Sequence, residues 1–349
     1  MKTMSMQSPT DSIQNNSLIH PPGFYIIGLI SMPFANVYVI FLTLLYVITV
    51  ICNCFVICII CMDHHLHVPK FIGVGNLAVV DLILSSSLIF AMIKIYLFKD
   101  NFVEFKLCLV QMYMYYSFLT LEAFSIAILA FDRLIAICFP LRQNTINTPT
   151  TMTAIVAAMW TLSHGVTILA VAAMTYLSFC NSVQVNSYFC DYGPVFRLAC
   201  NDNSLQWTLA TVLILLCNIV PLSVIVLSYT CILISVFQMK SVESRFKALA
   251  TCTEHLILVA FFYIPMCIIF LVGLFRVPIN QDLRIVGLMI NSALTQTIPP
   301  MLNPIIYTLK TEEVMQAIKI LYKQAKVVIL RGIITQQRLI RALKCSRLV

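Results

Sequence analysis

Charge is what this sequence most lacks. Of its 349 residues only 10% are Asp, Glu, Lys or Arg, while 60% are hydrophobic and the mean hydropathy is +0.93. Soluble domains carry about 25% charged residues. So few charges cannot cover a water-soluble fold of this size, and a bilayer must be the solvent for much of the chain. The first 23 residues lack the apolar run of a cleavable signal peptide; instead Pro9, Pro21, Pro22 and Gly23 punctuate a Ser/Asn/Gln mixture. The first hydrophobic helix is therefore expected to act as its own uncleaved insertion signal. Internal symmetry is lacking too, which argues against a transporter, since those folds usually show repeats and paired broken helices.

What is present is a series of seven apolar stretches, each of the roughly 20 residues that a spanning helix needs. They lie at 36–61, 71–97, 108–138, 152–177, 205–237, 247–274 and 283–307. The pattern predicts an all-α membrane protein: a tail over 1–35, a bundle over 36–310, and a further short helix with a basic tail over 311–349. With the amino terminus outside, 15 of the 22 Lys and Arg residues face the cytoplasm, and the positive-inside bias favours that orientation. The net charge of +8 thus reads as a membrane face rather than a nucleic-acid surface. Asn15 heads an N-x-S sequon in the outer tail, a candidate glycosylation site.

Fourteen cysteines are present, most of them inside spans, where a thiol packs as a small apolar group. Cys108, at the outer end of the third span, and Cys180, Cys190 and Cys200, in the 178–204 loop, fall in the oxidising compartment where disulfides persist. Spacing alone leaves three pairings open. His64, His65 and His67 with Asp63 form an incomplete ligand set and read as solvated loop residues.

Two acids lie where charge is costly. Asp81 in the second span and Glu122 in the third each face a cost of roughly 2.5–3.5 kcal/mol at mid-bilayer. They are expected to face the bundle interior, with Asn53, Asn291 and Asn303 completing a polar centre. The pair either shares a proton or holds a small hard cation such as sodium. Asp132-Arg133 ends the third span, 25 residues after Cys108, or about 37 Å along a helix.

The context of that dipeptide is specific. The run Leu129-Ala130-Phe131-Asp132-Arg133-Leu134-Ile135-Ala136-Ile137-Cys138-Phe139-Pro140-Leu141-Arg142 resembles the M-A-Y-D-R-Y-V-A-I-C-x-P-L-R signature of the vertebrate olfactory receptors. Leu66-His67-Val68-Pro69 with Asn76, Leu77, Ala78 and Asp81 is similar to the same family's second-span motif. Lys247-Ala248-Leu249-Ala250-Thr251-Cys252-Thr253-Glu254-His255-Leu256 resembles its K-A-x-x-T-C-x-x-H-L block. Phe262-Tyr263-Ile264-Pro265, Pro300-Met301-Leu302-Asn303-Pro304-Ile305-Ile306-Tyr307 and the loop segment Tyr188-Phe189-Cys190-Asp191 extend the likeness from Asn53 to Tyr307. Lys70-Phe71 in place of Met-Tyr, Phe131 and Leu134 in place of two tyrosines, and a long tail depart from the pattern, as a fish-like or otherwise outlying branch would.

The resemblance implies a rhodopsin-like seven-helix receptor that binds a small odorant and signals through a stimulatory heterotrimeric G protein and cyclic AMP at the plasma membrane. It is not an enzyme, and no cofactor is expected beyond the sodium ion that Asp81 and Glu122 hold if they do not share a proton. The likeness also selects the pairings Cys108–Cys190 and Cys180–Cys200. It assigns the switch to Asp132, Arg133, Tyr229 and Tyr307, with Pro265 as a pivot in the sixth span. The odorant pocket is expected in the outer half. Met112, Tyr115, Tyr116, Leu119 and Thr120 share one face of span three; Leu213, Cys217 and Asn218 on span five and Tyr263, Cys267 and Phe270 on span six are expected to face them. The 109–119 segment has no acid for an amine, and 283–307 has no lysine for retinal. A peptide or lipid receptor and a transporter are the alternatives; the 247–256 block argues against the first and the lack of internal symmetry against the second. Past Tyr307, Thr311 caps an expected amphipathic helix over 311–326, with Val314, Ile318 and Leu321 on one face and Lys319, Lys323 and Lys326 toward lipid head groups.

Overall fold

The computed structural model describes residues 18–30, 32–274, 281–306 and 313–320. Asn15, Tyr307 and the basic tail from 321 on lie outside the described residues, as do the side chains of Cys217 and Phe270. Seven helical bodies follow one another: α1 (Ala35–Met62), α2 (Pro69–Met92), α3 (Phe105–Cys138), α4 (Pro149–Ala173), α5 (Ser204–Ile214 and Val220–Gln238), α6 (Val242–Leu274) and α7 (Gln281–Leu294 and Ile298–Pro304). By length and composition five of the helices can cross a bilayer, and α3 with its sharply bent continuation Pro140–Ile146 makes a sixth.

Helix starts follow from local chemistry. Val68 is extended ahead of Pro69, which opens α2 at a position where its missing N–H is no loss. Thr148 caps α4, accepting from the N–H of Thr151 at 3.1 Å, with Pro149 behind it. Two expected spans are not continuous, and proline explains both. In α5 one π turn, Leu215–Ile219, precedes Pro221, which has no N–H to give to the carbonyl four residues back. In α7 the helix breaks at 295–297, because Pro299 and Pro300 leave the carbonyls of Thr295 and Gln296 without helical donors. The hydroxyl of Thr297 turns back to the carbonyl of Ser292 (2.9 Å) and stabilises the break.

The burial pattern is that of a protein in lipid. Ile40, Phe41, Leu44, Ile51 and Phe55 of α1 are exposed, while Asn53, Asp81, Glu122, Ser125 and Asn303 are buried. Apolar groups outside and polar groups inside invert the aqueous rule. The central helix is α3, packed against α2, α4, α5 and α6.

One end of the bundle carries a lid. Strands β1 (Gly23–Ile26), β2 (Phe102–Glu104) and β3 (Gln184–Val185) form a sheet in the order β2-β1-β3, antiparallel on one side of β1 and parallel on the other. The segment before α1 is therefore built into the fold. Phe24, Ile26 and Leu29 are buried, and Gly28 N–H donates to the carbonyl of Ser187 at 2.9 Å. A Cβ on Gly28 would lie 2.4 Å from that same carbonyl, so only glycine permits the approach. Disulfides Cys108–Cys190 and Cys180–Cys200 pin the loop to α3 and close it on itself, the pairing that the resemblance implies.

At the opposite end residues 313–320 form a helix, α8. Val314 and Ala317 are buried against Ile59, Leu66 and Phe71, with Ile318 partly buried beside them and Lys319 exposed. One face thus docks on the ends of α1 and α2.

Candidate functional site

Three polar constellations lie along the bundle axis. The middle one is built by α1, α2, α3 and α7. Asn303 Nδ2 donates to Asp81 Oδ2 at 2.9 Å, and Asn53 Nδ2 donates to the carbonyl of Pro300 at 2.9 Å. Asp81 and Glu122 are wholly buried. Asp81 Oδ1, Asn53 Oδ1 and both carboxylate oxygens of Glu122 have no hydrogen-bond donor among the described residues. Desolvated oxygens of this kind call for a proton or a cation. A narrow crevice with no room for a water-sized sphere lies alongside, lined by Asn53, Val56, Val74, Leu77, Ala78, Asn303 and Pro304. The expected third asparagine is elsewhere: Asn291 lies before the break in α7 and reaches the lid instead, with Nδ2 3.4 Å from the Tyr188 hydroxyl.

At the α8 end, Asp132 is buried and accepts from Asn147 Nδ2 at 2.7 Å. It lies beyond ion-pair distance of Arg133. The bent segment after α3 brings Asn147 back to Asp132, so an amide rather than the adjacent guanidinium holds the acid. Arg133 is only partly buried. Its charge is felt by Tyr229 and His255, whose side chains meet at 2.5 Å.

At the lid end, Met112, Tyr115 and Leu213 are buried in one apolar cluster, with Tyr116 and Leu119 packed against it. Thr120 is buried and spends its hydroxyl on the carbonyl of Tyr116 at 2.8 Å. Tyr263 belongs to a separate cluster with Ala123, Ile126 and Tyr229, its hydroxyl 3.4 Å from the carbonyl of Ala123. Tyr263 therefore packs at the level of Ala123, nearer Arg133 than Met112, Tyr115 and Tyr116 are, and Leu119 touches both clusters. Asn218 lies in the π turn of α5, and Asn218 and Cys267 are partly buried.

The space against α3 is occupied by the loop. Phe189 stacks obliquely on Tyr115 with centroids 4.3 Å apart. The hydroxyl of Tyr188 donates to Gln296 Oε1 at 3.1 Å, and Gln296 Nε2 donates to the hydroxyl of Tyr115. Tyr116 donates to Asp191 Oδ1 at 2.6 Å, and Ser187 donates to Oδ2 at 3.2 Å. Burial pushes the Asp191 carboxyl above its ordinary pKa, opposed by those two bonds, by the Gly193 N–H and by the charge of Arg197. Sequence reasoning put Tyr188 and Asp191 in the outer loop but missed their contacts with the helices, and it missed Asn291 and Gln296 as parts of this end. The signal available was Gln296 itself, an amide inside an apolar span, of the same kind that singled out Asp81.

The chain's similarities bear on this geometry. The model of the family described as "Olfactory receptor" matches residues 42–325. The human protein Olfactory receptor 2AT4 is 32% identical over 307 residues, which is 87% of this chain and 94% of that relative. Olfactory receptor 1M1 of Mus musculus is 31% identical over 275 residues, covering 79% and 86%. Olfactory receptor 10A2 of Homo sapiens is 32% identical over 290 residues, covering 82% and 94%.

Proposed function

This chain belongs to the olfactory receptor family, odorant-sensing G-protein-coupled receptors, and we propose that it takes a small odorant at the lid end and activates a stimulatory G protein that raises cyclic AMP. In this reading the lid end is extracellular and the α8 end cytoplasmic at the plasma membrane. The disulfides support that assignment, because both lie at the lid end and disulfides persist in an oxidising compartment. The single observation that carries the coupling is the pairing of Tyr229 and His255 beside Arg133. It ties α5 to α6 at the place where a rhodopsin-like receptor must separate them to admit its partner. A ligand that binds the separated arrangement better than the tied one shifts the population toward it.

The middle constellation fits sodium: Asp81, Glu122 and Asn53 offer buried oxygens without donors, the hard ligands such an ion takes. A bound cation would supply the positive charge that lets both acids ionise. Asn303 orients Asp81 from α7, so the occupant of this site links α2, α3 and α7. Lipid is the remaining partner, with α8 lying along the membrane and Lys319 turned toward its head groups.

The test is Arg133→Ala at matched surface expression in cells with a cyclic-AMP reporter, screened against a broad odorant panel. Loss of every response seen in the wild type is expected. Responses of equal size from both proteins would refute the coupling.

A further inference from the structure

At the lid end the hydroxyl of Tyr188 is held between two amides of α7. Tyr188, Gln296, Tyr115 and Phe189 are all at least 96% buried. The Tyr188 hydroxyl donates to Gln296 Oε1 at 3.1 Å and accepts from Asn291 Nδ2 at 3.4 Å. Gln296 Nε2 is committed to Tyr115, and Asn291 Oδ1 accepts from the Thr295 hydroxyl at 3.2 Å. The two residues of α7 therefore present one acceptor and one donor side by side, just where that helix breaks. In this arrangement a group that both donates and accepts satisfies the pair, and a hydroxyl is the smallest that does. A ketone, ester or ether would leave Gln296 Oε1 without a donor unless the amide turned over and the Tyr115 hydroxyl reversed its bond.

Tyr188 is a poor permanent occupant. It stands in the irregular stretch between β3 and Cys190, and both of its bonds are longer than the ~2.7–3.0 Å of well-formed hydrogen bonds. Its ring packs on Phe189 with centroids 5.0 Å apart, so the space it would vacate is flat, aromatic-walled and closed by a polar pair. Resting on the reading of this end as the odorant site, we propose that a small phenol displaces the Tyr188 side chain, its hydroxyl taking the place between Gln296 and Asn291. Specificity for the hydroxyl then resides in α7 and the lid rather than in the α5 and α6 faces.

The experiment uses the purified full-length receptor in lipid nanodiscs. Thermal unfolding is followed with p-cresol, which copies the tyrosine side chain, and with toluene, which lacks the hydroxyl, at matched bilayer concentrations. In the wild type p-cresol should raise the melting temperature more than toluene does. Tyr188→Phe leaves the plug without its two bonds, so the half-saturating p-cresol concentration should fall about tenfold, one hydrogen bond's worth. Gln296→Leu should erase the preference for p-cresol; if that variant is not recovered folded, Asn291→Leu removes the other half of the pair and should do the same. Equal effects of p-cresol and toluene in the wild type and in Tyr188→Phe would overturn the inference, as would a preference that survives loss of either amide. The readout needs no G protein. A hydroxyl preference without odorant-evoked cyclic AMP would support this site and count against the proposed coupling.

Discussion

The hydroxyl of Tyr229 lies 2.5 Å from Nδ1 of His255, with the two rings stacked at 5.6 Å between centroids. Both side chains are at least 95% buried, so removing one strands a polar group of the other, which costs about 1–3 kcal/mol. That cost falls on the arrangement in which α5 and α6 are tied. His255→Ala should therefore raise basal cyclic AMP about fivefold or more, since 1.4 kcal/mol is a factor of ten in an equilibrium. Tyr229→Phe combined with His255→Ala should bring basal cyclic AMP back toward the wild-type level, because no polar group is then stranded. Basal signalling at or below the wild-type level in His255→Ala, at equal surface display, would show that the pair does not hold the resting arrangement.

The two bridges of the lid should differ in what they contribute. Cys108–Cys190 spans 82 residues and Cys180–Cys200 spans 20. Loop-closure entropy assigns about 4.5 kcal/mol to the longer and about 3 kcal/mol to the shorter. Cys108→Ser should accordingly reduce the yield of folded receptor more than Cys180→Ser, and Cys180→Ser should leave the other bridge intact. Non-reducing peptide mapping and the recovered monomer fraction read both outcomes; scrambled pairing in the wild type would contradict the assignment.

Much of this architecture is legible in the sequence because bilayer physics is unforgiving. Seven apolar stretches announce seven helical bodies, and Asp81 and Glu122 stand out because buried charge is so costly. What escaped is set by contacts between distant segments. Nothing local marks Gly23–Ile26 as a strand, since its partners lie near residues 103 and 184. Asn291 reads as a companion of Asp81 until Pro299 and Pro300 break the helix and leave it facing the lid. Asp132 looks like the natural mate of Arg133 because they adjoin in sequence, yet successive residues on a helix point apart, and Asn147 reaches the acid from the bent segment instead.

Asp191 should give the lid a pH dependence. Burial raises its pKa above the ordinary carboxylate value, so between those two values the folded state holds a proton that the unfolded chain releases. Stability then falls as pH rises through that window and is recovered on acidification. The groups facing it, Tyr116, Ser187, Arg197 and the Gly193 N–H, do not ordinarily change charge in that range. Thermal unfolding of the purified receptor should therefore shift upward on mild acidification in the wild type, and the shift should shrink in Asp191→Asn. An identical slope in both proteins would assign the dependence to another group.

Glu122 decides what fills the middle of the bundle. Its two oxygens and Asp81 Oδ1 lack donors among the described residues, and Asn303 engages only the other oxygen of Asp81. A shared proton would satisfy part of this set, whereas a sodium ion bound by the two acids would let both remain charged. The two accounts separate in salt. A ligand that binds only the folded state stabilises it by RT ln(1 + [L]/Kd), about 1.4 kcal/mol at ten times Kd. If sodium is the occupant, replacing potassium by sodium at constant ionic strength should raise the melting temperature and alter basal cyclic AMP in the wild type. Glu122→Gln keeps the shape but removes one charge, and it should blunt both effects. Responses to sodium that are flat in both proteins would leave the shared proton as the occupant, and Glu122→Gln would then cost little, because an amide can donate where the protonated acid did.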